Sequence, residues 1–184
     1  MKVFYDFEFI DDGRTIEPIS VGMVDEEGNE LYLINQDVDK RTLARHHWLM
    51  GNVVPHLPLT WVERGGEAPH LRWSPKHPDA DRVVPRTSMA RRVREFLTGR
   101  LASSPELWAW YGAYDHVALA QLFGPMSQLP NGIPMWTNDL RQVMHLRNDQ
   151  VGILPRQECG EHRAIDDARW NKAVHDLFVS RGWL

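Results

Sequence analysis

Apolar and polar residues alternate along this chain in a way that predicts strands first and helices later. Residues 2–9 (KVFYDFEF), 16–24 (IEPISVGMV) and 31–35 (LYLIN) read as three strands separated by the polar turns DDG and DEEGNE. Strands joined by such short turns predict an antiparallel meander. The pattern then changes to a helix over 41–50 (RTLARHHWLM). Residues 51–86 hold Pro55, Pro58, Pro69, Pro75, Pro78 and Pro85, half of the 12 prolines, so they predict a long excursion without regular helix or central strand, a lid or an interface arm. From Ser88 an amphipathic helix puts Met89, Val93, Phe96 and Leu97 on one face and ends at Gly99. Residues 107–112 (LWAWYG) predict a buried strand, 116–124 a helix, 133–136 (IPMW) a short strand, 138–146 a helix capped by Asn138, and 164–180 a last helix. The expected class is α/β, with five strands in one mixed sheet and residues 1–184 as a single domain.

The first strand carries a contradiction. Asp6 and Glu8 alternate with aromatic residues, so both carboxylates stand on one face of a strand that should be buried, with their Cα atoms about 7 Å apart. Acids that close repel unless one is protonated or a hard divalent cation lies between them. A second Asp-x-Glu, Asp25 and Glu27, falls in the polar turn DEEGNE, where solvation is expected to explain it. Further acids follow. Asp115 comes at the carboxyl end of a predicted strand, where ligand sites of α/β sheets collect, although a helix cap would also account for it. The segment ECGEHRAIDDARWN brings His162, Asp166 and Asp167 to the start of the last helix, where acids also suit the helix dipole. Of the nine histidines only His162 has an Asp five residues on.

Composition narrows the setting. The chain has 184 residues, 42% hydrophobic and 25% charged, enough for one globular core. A net charge of −4 excludes a protein that traps nucleic acid by overall charge, so any polyanion contact must be local. Lys occurs only at positions 2, 40, 76 and 172, and the remaining 17 of the 21 basic residues are Arg, the better bidentate partner of phosphate; a G+C-rich genome gives the same bias. A single Cys159 excludes an internal disulfide framework and fits a reducing cytoplasm. No secretory leader or membrane span is expected, and the localisation expected is cytoplasmic.

The ordered set Asp6, Glu8, Asp115, His162 and Asp167 resembles the DEDD exonucleases, in the branch with a His before the last Asp. YDFEF matches the first motif, Tyr114-Asp115 the aromatic-Asp second motif, and HRAIDD the His-x-x-x-x-Asp third motif. The chain is most similar to a bacterial group of polyadenylate-specific 3′-exoribonucleases, the ribonuclease AS group, around FYDFEFIDDG and WAWYGAYDHVALAQLFG. Tyr111 departs from the Asn that many relatives carry four residues before the second-motif Asp.

The resemblance implies a ribonuclease H-like fold and 3′-to-5′ hydrolysis of single-stranded RNA to nucleoside 5′-monophosphates, with AMP from adenylate-rich ends. It implies two Mg²⁺ or Mn²⁺ ions bridged by Asp6, with Glu8 and Asp167 on the nucleophile side, Asp115 on the other, and His162 as general base. A homodimer is implied likewise. Phe7, Phe9, Tyr111 and Tyr114, with Trp110, surround the expected site as candidates for stacking bases. The alternatives are a DNA-directed 3′-5′ exonuclease or an oligoribonuclease of the same superfamily, and a catalytically silent nucleic-acid-binding module.

Overall fold

The computed structural model describes residues 1–63, 68–99, 104–148, 151–157 and 160–184; Cys159 lies outside the described residues. Three long strands start the chain: β1 (Lys2–Asp11), β2 (Ile16–Asp25) and β3 (Glu30–Asn35). They pair in antiparallel order as the short turns between them require. Two short helices, α1 (Lys40–Arg45) and α2 (His47–Asn52), replace the single helix expected over 41–50. They are divided by His46, whose backbone is extended at ψ 95 and whose ring accepts the Leu49 N–H, so the side chain begins a new helix where the first one ends.

The proline-rich excursion is more structured than expected. It contains a hairpin of β4 (Leu59–Val62) and β5 (His70–Trp73), separate from the main sheet, and then β6 (Val83–Val84), which pairs in parallel with Ile34 and Asn35 at the sheet's edge. The main sheet therefore has six strands, not five, in the order β6-β3-β2-β1-β7-β8, where β7 is Glu106–Ala109 and β8 is Asn138–Asp139. A two-residue strand closed by Pro85 is too short to show alternation, which is why the sequence pattern misses it.

Helix α3 (Arg86–Thr98) leads to β7 (Glu106–Ala109), which lies parallel to β1. This strand stops before Trp110, because Tyr111 turns into the left-handed region at φ 57. Helix α4 (Ala113–Gln121) follows. The last strand, β8, is Asn138–Asp139 rather than 133–136, where Met135 and Trp136 are exposed. Helix α5 (Leu140–His145) begins after it, capped by Asp139 instead of Asn138, with the Asp139 carboxylate accepting the Arg141 and Gln142 N–H groups. Helix α6 (Ala164–Ser180) closes the chain at the bounds its periodicity predicts. Among the described residues no helix is long and apolar enough to cross a membrane.

Alternation along β1 sorts its side chains into two cores. Val3, Tyr5 and Phe7 face the side packed by Met89, Val93 and Leu97 of α3 and Ala118 and Leu119 of α4. Phe4 and Ile10 face the opposite side, where Val174 and Phe178 of α6 pack on Phe4, and Ile10 joins Ala164 and Ile165. Asp6 and Glu8 belong to this second face by the period of two, beside the start of α6. Gly22 pairs with Asp6 across the ladder, and a Cβ built on it would lie 2.2 Å from the Ala164 carbonyl oxygen. The missing side chain is what lets α6 approach the acidic strand. Gly22→Ala is expected to lower stability by about 1–3 kcal/mol through overpacking against rigid backbone. A calorimetric melt should show the loss, with activity reduced as α6 is pushed away from β1. An unchanged melting temperature would mean that this contact has slack.

Candidate active site

Five acidic and basic side chains far apart in the chain meet in one cavity of about 630 Å³ lined by Asp6, Glu8, Asp115, His162 and Asp167. Strand β1 supplies the first two, the first turn of α4 supplies Asp115, and the loop before α6 and its first turn supply His162 and Asp167. Carboxylate oxygens of Asp6, Glu8 and Asp167 all lie within 4.8 Å of one another. Asp115 is not a helix cap: Gly112 occupies that position, and the Asp115 carboxylate crosses to β1 and accepts the Phe7 N–H at 2.8 Å.

The last acid of the set is oriented by two donors. Its oxygens accept Gln157 Nε2 at 2.6 Å and the His162 backbone N–H at 2.9 Å. That N–H is aimed by a left-handed turn at His162, φ 71. The His162 ring lies edge-on to Trp48 of α2, with centroids 4.8 Å apart. Asp166, the competing acid, faces elsewhere: it accepts Arg163 at 2.9 Å and Arg169 at 2.6 Å. Arg163 also reaches Asp79 of the excursion and Arg169 reaches Glu30 of β3, so the ion pairs hold the start of α6 against the sheet.

The acids are held in an environment that resists their charge. Burial raises Asp6 well above the usual carboxylate range, and the negative charges of Asp115, Glu8 and Asp167 add to it. Burial, then Asp167 and Asp115, pushes Glu8 up to about 8. Burial raises Asp115 to about 7 against the opposing bond from Phe7, and it raises Asp167 against the bonds from Gln157 and His162. Clustered hard oxygen donors that are costly to ionise alone fit a divalent cation, whose charge would remove the repulsion. Asn171, one turn beyond Asp167, adds a buried Oδ1 without a partner among the described residues, while its Nδ2 donates to the Tyr5 carbonyl.

A pH dependence follows. An acid with a raised folded pKa holds a proton that the unfolded chain has released, so the stability it contributes is full below its unfolded value of about 4 and is lost as pH rises through the folded value. His116 and His175 are lowered by burial and act in the opposite sense, but only below the ordinary His value of about 6.5. Between about pH 6.5 and 8.5, then, the metal-free protein is expected to lose melting temperature as Asp115 and Glu8 ionise. Saturating Mn²⁺ should flatten that slope. A melting temperature in chelator that is constant over this range would show that the acids carry no such burden.

The aromatic candidates divide. Tyr111 and Tyr114 are 58% and 55% exposed at the cavity, and Tyr114 lies parallel to Phe9 at 6.2 Å. Phe7 is buried in the core on the other face of β1, and its contribution to the site is the N–H given to Asp115. Tyr111, which departs from the expected Asn, gives its backbone N–H to Asp139 at 3.3 Å. Trp110 packs edge-on against Trp170, another residue of the cavity wall. Sequence reasoning missed Trp48, Gln157, Trp170 and Asn171. Only Asn171 left a signal, its i+4 spacing from Asp167 on one helix face. Gln157 is brought in by the loop before α6 and Trp48 by the placement of α2, neither of which has a period that points to the site. Asp25 of the second Asp-x-Glu is a correction. It is 1% exposed, and its carboxylate accepts the Glu27 and Asn29 N–H groups and Asn29 Nδ2, so it builds the β2–β3 turn instead of being solvated.

The family described as the 3′-5′ exoribonuclease Rv2179c-like domain matches residues 1–178. The chain belongs to this family of enzymes. It is 38% identical over 170 residues to the 3′-5′ exoribonuclease Rv2179c of Mycobacterium tuberculosis strain H37Rv, covering 92% of this chain and 88% of that protein. The same identity and coverage hold for the 3′-5′ exoribonuclease MT2234.1 of M. tuberculosis strain CDC 1551.

Proposed function

We propose that this protein is a 3′-to-5′ exoribonuclease of the DEDD class with a ribonuclease H-like fold, acting on single-stranded RNA and releasing nucleoside 5′-monophosphates. The observation that carries the reading is the convergence of Asp6, Glu8 and Asp167 within 4.8 Å, in one cavity with Asp115 and His162. Asp6, Glu8, Asp115 and Asp167 are the residues that would hold two Mg²⁺ or Mn²⁺ ions. Such ions supply Lewis-acid polarisation of the phosphodiester and charge stabilisation of the leaving 3′-oxygen. The protein's own groups do the rest. His162 accepts the proton of the attacking water as the water oxygen bonds to phosphorus and the phosphorus–O3′ bond breaks, and the departing 3′-oxygen takes up a proton so that the shortened RNA ends in a free 3′-hydroxyl. Gln157 and the His162 N–H fix Asp167, and Phe7 N–H fixes Asp115. Exposed Tyr111 and Tyr114, with Phe9 behind the second, offer stacking faces to terminal bases.

Preference for adenylate and a homodimer are further parts of the proposal, supported by the family resemblance, and a cytoplasmic location is another, supported by the single Cys159. The deciding experiment is incubation of 5′-labelled homopolymeric RNAs and single-stranded DNA with Mg²⁺ or Mn²⁺, resolved on a gel. A ladder shortening from the 3′ end, fastest on polyadenylate and abolished by chelator, is expected. Faster degradation of DNA, or activity undiminished in excess chelator, would overturn the reading.

A further inference from the structure

A second surface of the molecule carries charge that the active site does not use. Helix α1 packs beside β5, and the two line a pair of adjoining grooves that share Lys40, His70 and Leu71. Leu71 is buried in the core with Leu43 of α1, so the hairpin is anchored there by its inward side chain. Arg72, the next residue along the strand, is exposed. On α1, Arg41 and Arg45 are exposed and lie on one side by their i,i+4 spacing. Lys40 sits over the Trp73 ring, 5.0 Å from its centroid.

In a chain of net charge −4 this concentration is local. Of the nearby acids, Asp39 caps α1 through Arg41 N–H and the Thr42 hydroxyl, Asp37 accepts the Arg86 N–H, and Asp81 lies against Arg82, while Glu63, beside the Val62–His70 pair, is exposed. Among the described residues no carboxylate forms an ion pair with Lys40, Arg41, Arg45 or Arg72.

The groove lies near the cavity along the chain. Arg45 is three residues from Trp48, which lines the active site, so their Cα atoms are at most about 11 Å apart. Helix α1 adds about 9 Å of length beyond that. We propose that the α1–β5 groove is a secondary binding site for the phosphate backbone of single-stranded RNA, holding the part of the substrate upstream of the 3′ end that occupies the cavity. It rests on the exoribonuclease reading for its direction, but the binding it describes is measurable without turnover. The path is at most about 20 Å, or up to around six stacked nucleotides spaced by about 3.4 Å, so contacts in the groove should matter more to a long RNA than to a dinucleotide.

The test replaces Arg41, Arg45 and Arg72 with Gln together and leaves Lys40 on Trp73. Binding of a fluorescent oligoadenylate of about 20 nucleotides to Asp6→Asn protein, with and without the three changes, is followed by anisotropy across salt concentrations. Loss of three phosphate contacts should weaken binding at least about tenfold and make the log–log salt slope shallower by about 2. In the otherwise native enzyme the same changes should leave dinucleotide turnover within about twofold. Unchanged affinity and slope, or an equal loss on the dinucleotide, would overturn the proposal. If wild-type protein degrades no RNA while the triple change still reduces binding, the groove stands and the exoribonuclease reading falls. Should the triple variant unfold, Arg41→Gln/Arg45→Gln alone should give about two thirds of the slope change.

Discussion

Asp6→Asn is expected to abolish turnover while raising the melting temperature of the metal-free protein. The two effects have one cause. Burial and all three neighbouring carboxylates oppose the ionisation of Asp6, so removing its charge relieves the folded state at alkaline pH. The same oxygens are those that would hold the cations. Loss of turnover should exceed ~100-fold, since even partners that merely orient a metal ligand cost up to about that much. Stability is to be read by thermal melting in chelator at a pH above the Glu8 value of about 8, and turnover on labelled oligoadenylate at saturating Mn²⁺. Wild-type turnover, or a lower melting temperature in chelator, would sink the assignment. Asp25→Asn is the control with the opposite signature. It weakens the bonds to Glu27 N and Asn29 N that form the β2–β3 turn, costing about 1–2 kcal/mol, and should leave turnover within a few-fold.

His162→Ala should lower turnover by ~10²-fold or more with little change in the Mn²⁺ concentration that stabilises the protein. The reason lies in how the residue is attached to the site. Its backbone N–H holds Asp167, and Ala or Asn at this position keeps that donor, whereas only the imidazole can take a proton. Because φ is 71 there, Ala carries some backbone strain, and His162→Asn, which tolerates the left-handed region better, serves as the second variant. Both should lose turnover alike. Near-wild-type turnover in either would remove His162 from the mechanism. A parallel loss of Mn²⁺ stabilisation would make it a ligand or a structural residue instead of a base.

The alternation in 2–9 and the two short turns after it determined the β1–β3 meander, because a period of two and a tight turn are local properties. The same local reading placed α6 and put Asp6 with Glu8 on one face, which is where the structure has them. It also brought His162, Asp166 and Asp167 together at the start of the last helix. Tertiary structure decided the rest. Nothing local distinguishes Asp166 from Asp167; Arg163 and Arg169 turn one away while Gln157 and the His162 N–H hold the other toward β1. Asp25 looked solvated because its neighbours are polar, but burial depends on what packs over a turn, and here it caps the turn from inside. The edge strand Val83–Val84 and the hairpin Leu59–Val62 with His70–Trp73 exist through partners distant in sequence, so proline content signalled irregularity without revealing either. Gly22 shows the same division. Its identity is read from the sequence, but only the Ala164 carbonyl lying where its Cβ would be explains why the acidic strand and the last helix can meet.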